Sequence, residues 1–190
     1  MSERIETAAL RDFSVSLCRA AGLSADDAAL LTDSILFAEC RGVTSHGLLR
    51  LPQYIARLRS GATAMNVPMP FTMESGGTAR LDAQNGLGQL AGRKASDKAE
   101  ELAAEYGVSF VAVANSNHFG TGAWYAIPAA RRGFFAFNIS SAARRRTARR
   151  SRFSAPTRSG WHCRAARGRH RSRSIWRSPP QRAARSATPR

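Results

Sequence analysis

Apolar residues recur at helical spacing from the start of the chain. Ile5, Ala8, Ala9, Phe13, Leu17 and Ala20 fall close to a helical period, which predicts a helix with one inward face. Gly22 stands where a left-handed residue closes such a helix. Ser24 and Asp27 form a near capping box with Asp in place of Glu, and Asp26 and Asp27 occupy the helix end that attracts negative charge. Leu30, Leu31, Ile35 and Ala38 give a second helix its apolar stripe, and Arg41-Gly42 ends it. A third, short helix is expected over residues 48–58, stopped by Ser60-Gly61.

Residues 62–70 are small, polar and proline-containing with no periodicity. They predict an exposed linker or an arm across a partner, and a subdomain boundary. Residues 71–74 and 78–82 flank Ser75-Gly76-Gly77, the pattern of a hairpin or of two edge strands. Residues 87–106 return to helical spacing, with Leu90, Ala91, Ala95, Ala99, Leu102 and Ala103 inward and Gly107 as the stop. The run 108–114 is almost continuously apolar, the signature of a strand covered on both faces. Residues 123–132 read as a helix closed by Gly133, and 134–139 as a second buried strand. Strand, loop, helix and strand in that order make a βαβ unit. The fold class is therefore α/β: a helical region over residues 1–61, then a mixed sheet with helices against it over 62–141.

A composition of 43% hydrophobic and 8% aromatic residues in 190 fills a core and excludes disorder of the whole. The formal net charge of +16 would by itself point to nucleic acid or an anionic surface. The excess is local, however. Residues 1–141 carry 13 basic and 13 acidic side chains, whereas 142–190 carry 16 Arg, no Lys and no acid. Cys18, Cys40 and Cys163 are too widely spaced for a disulfide framework or a CxxC metal knuckle, so a reducing compartment and no metal site are expected. No apolar run approaches the roughly 20 residues of a membrane helix. The N-terminus lacks the basic-then-apolar pattern of a secretory leader, and the cytoplasm is the expected location.

The segment Asn115-Ser-Asn-His-Phe-Gly-Thr-Gly122 lies between a predicted strand and the next helix. Ligands of α/β sheets bind beyond the carboxyl ends of strands, so His118 is placed for chemistry. With an ordinary pKa of about 6.5 it can take a proton from an alcohol and return it to a carbonyl. The competing reading is a loop histidine bonded to backbone. His46 and Arg50 are four apart, and on a helix they share a face from which a guanidinium clamps a carboxylate through two parallel hydrogen bonds. Against this stands an Arg paired with an acid on a solvated face, with Ser45 as a helix cap. Gly86, Gly88 and Gly92 open a helix as GxGxxxG, which departs from the dinucleotide fingerprint GxGxxG, and close helix packing explains them as well.

Together, the strings RGVTSHGLLRLPQYIARLRSG, DAQNGLGQLAG and ANSNHFGTGAWYAIPAARRGFFAFN resemble the malate/L-lactate dehydrogenase family. That family also contains sulfolactate and ureidoglycolate dehydrogenases and piperideine-2-carboxylate reductase, and is distinct from the Rossmann lactate dehydrogenases. The resemblance covers residues 3–141. It implies NAD(P)-dependent hydride transfer to or from a small 2-hydroxy or 2-oxo acid, a cofactor domain built on a mixed, non-Rossmann sheet, and a homodimer. It further implies that His118 is the proton acceptor and that His46, Arg50 and Ser45 line the substrate pocket and hold its carboxylate. Asn117, Gly120, Ser140 and Ser141 would approach NAD or NADP.

Beyond this point the family continues with a proline-rich turn, a Gly-Thr-Asn-Pro loop and an Asp-Met-Ala stretch that contact the cofactor. This sequence turns instead to Arg, Ser, Ala and Pro, a composition expected to be disordered. One reading of the tail is an Arg-rich arm that binds nucleic acid. The other is GC-rich DNA translated in the wrong frame. GC-rich codons for residues 145–165, read two bases later, permit the string PPHGAAEPLLGTNPLGLALP, which resembles the family's Gly-Thr-Asn-Pro region. On that reading the chain is a truncated and inactive dehydrogenase. A third reading makes it an inactive partner of a full-length subunit.

Overall fold

A computed structural model describes residues 5–140; the expectations for Ser141 and for the tail over 142–190 lie outside the described residues. The chain opens with α1 (Thr7–Ala20) and α2 (Ala25–Glu39). Gly22 turns between them at φ +104°, and the Ser24 hydroxyl accepts the Asp27 N–H at 3.2 Å, so the cap forms as its residues dictate. The Arg11 guanidinium donates twice to the Asp33 carboxylate, at 2.6 and 3.1 Å, and ties the two helices. Ile5 and Phe13, expected to face inward, are 64% and 61% exposed. The helix presents Ser14 and Cys18 as its buried residues instead, and Ser14 satisfies its hydroxyl on the carbonyl of Leu10.

The third helix is not continuous from residue 48. Two 3₁₀ turns, Thr44–His46 and Leu48–Arg50, precede α3 (Leu51–Arg59). Pro52 lies in the first turn of α3, where its missing N–H is not needed. Residues 62–70 have no regular structure but are not an exposed arm. Thr63 and Met69 are buried, and the Ala64 N–H donates to the Asn85 carbonyl at 2.9 Å.

The strands β1 (Phe71–Ser75) and β2 (Thr78–Asp82) form the expected antiparallel hairpin. β2 then pairs in parallel with β3 (Phe110–Ala114), Thr78 opposite Phe110 and Asp82 opposite Ala114, with α4 (Gly88–Tyr106) as the crossover. Gly107 ends α4 in a left-handed conformation. The parallel unit is therefore β2–α4–β3 rather than the predicted one across α5 (Ala123–Arg131). Residues 134–140 form no strand, and Phe135 is 95% exposed. A strand exists only through a neighbour, and among the described residues none lies beside this run. β3 is likewise not covered on both faces: Phe110 and Val113 are exposed, as is Val108 just before it.

Two packed clusters hold the structure. One joins the helices through Cys18, Leu31, Ile35, Leu51, Tyr54, Leu58 and Leu87. The other lies between α4 and the sheet through Met69, Leu81, Ala91 and Ala95. Leu90 packs against both, so the helical region and the sheet share a continuous interior. Among the described residues no helix is long and apolar enough to cross a membrane.

Candidate functional site

Three segments converge at the carboxyl end of β3. The first is the pair of 3₁₀ turns. The Glu39 carboxylate accepts the Leu48 N–H at 2.8 Å, and a Cβ on Gly47 would overlap that carboxylate. A side chain at Gly47 would displace the Glu39 carboxylate from this bond, and the two turns are folded back on α2. The second segment is α3, whose buried face carries Tyr54.

The third is the loop 115–122. Asn117 fixes it: its amide nitrogen donates to the Asn85 carbonyl (2.8 Å), the Asn85 side-chain oxygen (3.0 Å) and the Gly86 carbonyl (2.9 Å). Its oxygen accepts from Arg57 at 2.8 Å. Beneath it, α4 begins with Gly88, where any Cβ would run into the carbonyls of Asn117 and His118. Gly92 likewise makes room for the Tyr125 ring. Close packing, rather than a phosphate cradle, accounts for both glycines. Gly120 closes the loop in a left-handed conformation at φ +79°.

In this setting the Tyr54 hydroxyl lies 2.8 Å from Nδ1 of His118, and the His46 and His118 rings lie 5.2 Å apart between centroids. The Gly120 N–H also donates to His118 Nδ1, at 3.3 Å. Nε2 of His118 takes no partner among the described residues. Arg50 donates through Nε to the Ser45 carbonyl (2.8 Å) and through Nη1 to Gln53 (2.9 Å), and among the described residues it pairs with no carboxylate. Among the described residues no carboxylate offsets its charge. Burial lowers the His118 pKa below its ordinary value, and the charges of Arg50 and His46 lower it further. His46 is lowered by burial and then by Arg50. Both imidazoles are held toward the neutral form, as a group that receives a proton requires.

His46, Arg50 and His118 are thus brought together although the stretch from His46 is not one helix. Ser45 is no helix cap; its hydroxyl lies 3.0 Å from His46 Nδ1. Gly120 borders His118 directly, whereas Ser140 is exposed at the end of the unpaired run. Tyr54 was absent from the expectations, although His46, Arg50 and Tyr54 follow one another at intervals of four in the sequence. The donor set suits an acid and its proton. The Asn117 amide is engaged by the protein itself, and the Gly120 N–H is turned to His118.

What the fold and these side chains define is an α/β protein in which two imidazoles, a phenol and a guanidinium meet at a strand end. A sequence model described as malate/L-lactate dehydrogenase matches residues 5–152, and the chain belongs to that family. It is 34% identical to the malate dehydrogenase of Pyrococcus abyssi over 138 residues, 73% of this chain and 38% of that protein. It is 39% identical to the L-sulfolactate dehydrogenase of Methanocaldococcus jannaschii over 104 residues, 55% of this chain and 30% of that one. The solved malate dehydrogenase of Pyrococcus horikoshii superposes with a TM-score of 0.67 at 32% identity, over 69% of this chain and 38% of that one. A dehydrogenase from Sinorhizobium meliloti superposes with a TM-score of 0.65 at 36% identity, over 69% and 39%. The chain thus spans less than half the length of these relatives. The family's members are dehydrogenases and reductases of 2-hydroxy acids, which imply a nicotinamide cofactor.

Proposed function

We propose that this chain carries the acid-binding and proton-handling part of an NAD- or NADP-dependent oxidoreductase of a small 2-hydroxy or 2-oxo acid. One observation carries the reading: Arg50 and His46 meet His118 from a segment distant in sequence, and among the described residues the guanidinium pairs with no carboxylate and His118 Nε2 takes no partner. Arg50 would hold the substrate carboxylate, with His46 and Ser45 beside it. His118 Nε2 would take the proton of the hydroxyl at C2 in oxidation and return it to the carbonyl oxygen in reduction. On the cofactor side stand Gly120, Ser140 and Ser141, with Asn117 serving by holding the loop. The whole enzyme would be a cytoplasmic homodimer.

We further propose that residues from about 142 onward are a frameshifted translation and that the chain as written has little or no dehydrogenase activity. The abrupt change to 16 Arg with neither Lys nor acid supports this, as do the exposed apolar residues Phe110, Phe135, Phe137 and Ile139. The coding DNA from codon 135 to beyond the stop tests it, and an open continuation in another frame is expected. Robust NAD(P)H turnover on pyruvate or oxaloacetate by the purified chain would overturn the inactivity. A frame-restored, folded protein that turns over no 2-oxo acid would overturn the enzymatic reading itself.

A further inference from the structure

Gln89 is wholly buried in the first turn of α4, and neither its amide nitrogen nor its amide oxygen has a hydrogen-bond partner among the described residues. An unpaired buried amide is unfavourable, and this one lies in the floor of the site. Its neighbour Gly88 packs under the backbone of Asn117 and His118, and a Cβ on Gly120 would sit 3.7 Å from the Gln89 nitrogen. Burial dominates at the Tyr54 hydroxyl and raises its pKa; the Gln89 amide opposes that from nearby without a formed hydrogen bond.

The Tyr54–His118 contact must reverse if His118 handles a proton at Nε2. With Nδ1 unprotonated, the Tyr54 O–H and the Gly120 N–H both donate to it, and the ring carries its hydrogen on Nε2. A ring that accepts a proton at Nε2 carries hydrogen on Nδ1 instead. Nδ1–H then donates to the Tyr54 oxygen, the Gly120 N–H gives up its bond to Nδ1, and the phenolic hydrogen needs a new acceptor. A primary amide offers a donor to the phenol in the first state and an acceptor in the second. We propose that Gln89 is a positioning residue whose amide lets Tyr54 reverse its hydrogen bond as His118 changes protonation. This rests on reading His118 as the proton-handling group.

The test follows the His118 tautomer and titration midpoint by 15N NMR in the full chain, a readout independent of turnover. Gln89→Met, with neither donor nor acceptor, is expected to lower the midpoint and move the neutral ring toward Nε2–H. Gln89→Glu, which keeps an acceptor and adds negative charge, is expected to raise the midpoint and favour Nδ1–H. Both shifts should vanish in a Tyr54→Phe background. Unchanged midpoints in both variants, or shifts that persist without the Tyr54 hydroxyl, overturn the proposal. Unfolding of both variants, seen by circular dichroism, also overturns it, because Gln89 would then be structural. If Gln89 governs His118 while the frame-restored protein has no activity, the positioning role stands and the enzymatic reading falls.

Discussion

The hydroxyl of Tyr54 and Nδ1 of His118 meet at 2.8 Å across 64 residues of sequence, joining the helical region to the loop after the parallel strand. Tyr54 is buried, so its hydroxyl cannot exchange His118 for water without opening the site. Tyr54→Phe is expected to lower stability by about 1 kcal/mol, the scale of one net hydrogen bond. Urea denaturation measures it. An unchanged midpoint would mean the contact carries no stability.

The histidines make stability depend on pH in a defined direction. The folded pKa of His118 and of His46 lies below the unfolded value, so below about pH 6.5 the unfolded chain binds more protons. Their contribution is present above the unfolded pKa and is lost as pH falls from there toward the folded values. Denaturation series between pH 7.5 and pH 5 should show stability decreasing with acidity, with a shallower slope in His118→Gln. An equal slope in the variant would show that His118 does not contribute.

Arg50 is the charge that both imidazoles sense. Arg50→Gln should therefore raise both histidine titration midpoints. In the unsubstituted chain, pyruvate at millimolar concentration should raise them too, because its carboxylate offsets the guanidinium. Histidine NMR reads both effects, and pyruvate should have no effect once Arg50 is replaced. A pyruvate response that survives Arg50→Gln would place the anion site elsewhere.

Much of this arrangement was legible because it is local. Ser24 and Asp27 declare a cap, Gly22 and Gly107 declare helix ends, and Gly76-Gly77 declares a hairpin, each through backbone requirements that act within a few residues. His118 could be placed because a loop after a strand is a common ligand position. What could not be read depends on partners far along the chain. The run 134–139 has strand composition, yet strand formation depends on a pairing neighbour, and among the described residues no strand pairs with it. The inward face of α1 was misjudged because Cys18, with Val15 and Leu17 beside it, packs into the helical cluster while Ser14 satisfies its own hydroxyl, and a count of apolar residues does not register a polar residue that buries itself this way. Gln89 was invisible as a site residue, since only the fold places its amide beneath His118.

The loop that carries His118 should fail in two separable ways. Gly88→Ala forces a methyl against the backbone of Asn117 and His118 and is expected to cost about 1–3 kcal/mol, as overpacking does. Asn117→Ala removes the ties to Asn85, Gly86 and Arg57 without steric insult, at about 2 kcal/mol. Hydrogen exchange should show the loop 115–122 opening selectively in the second variant. Uniform loss of protection across the helices instead would mean that Asn117 supports the whole fold.

Among the described residues β2 is the only strand paired with β3, and this edge strand carries Phe110, 64% exposed, with exposed Val108 just before it. An uncovered strand edge with apolar side chains templates pairing with other chains. The purified chain is therefore expected to self-associate as its concentration rises. Phe110→Lys places a charge on that edge while removing little packing, because most of the ring is already in solvent. It should suppress association and leave the thermal midpoint nearly unchanged. Sedimentation velocity over a concentration series decides the matter: a chain that is monomeric throughout would show that this edge is covered, and equal association of the variant would move the sticky surface away from β3.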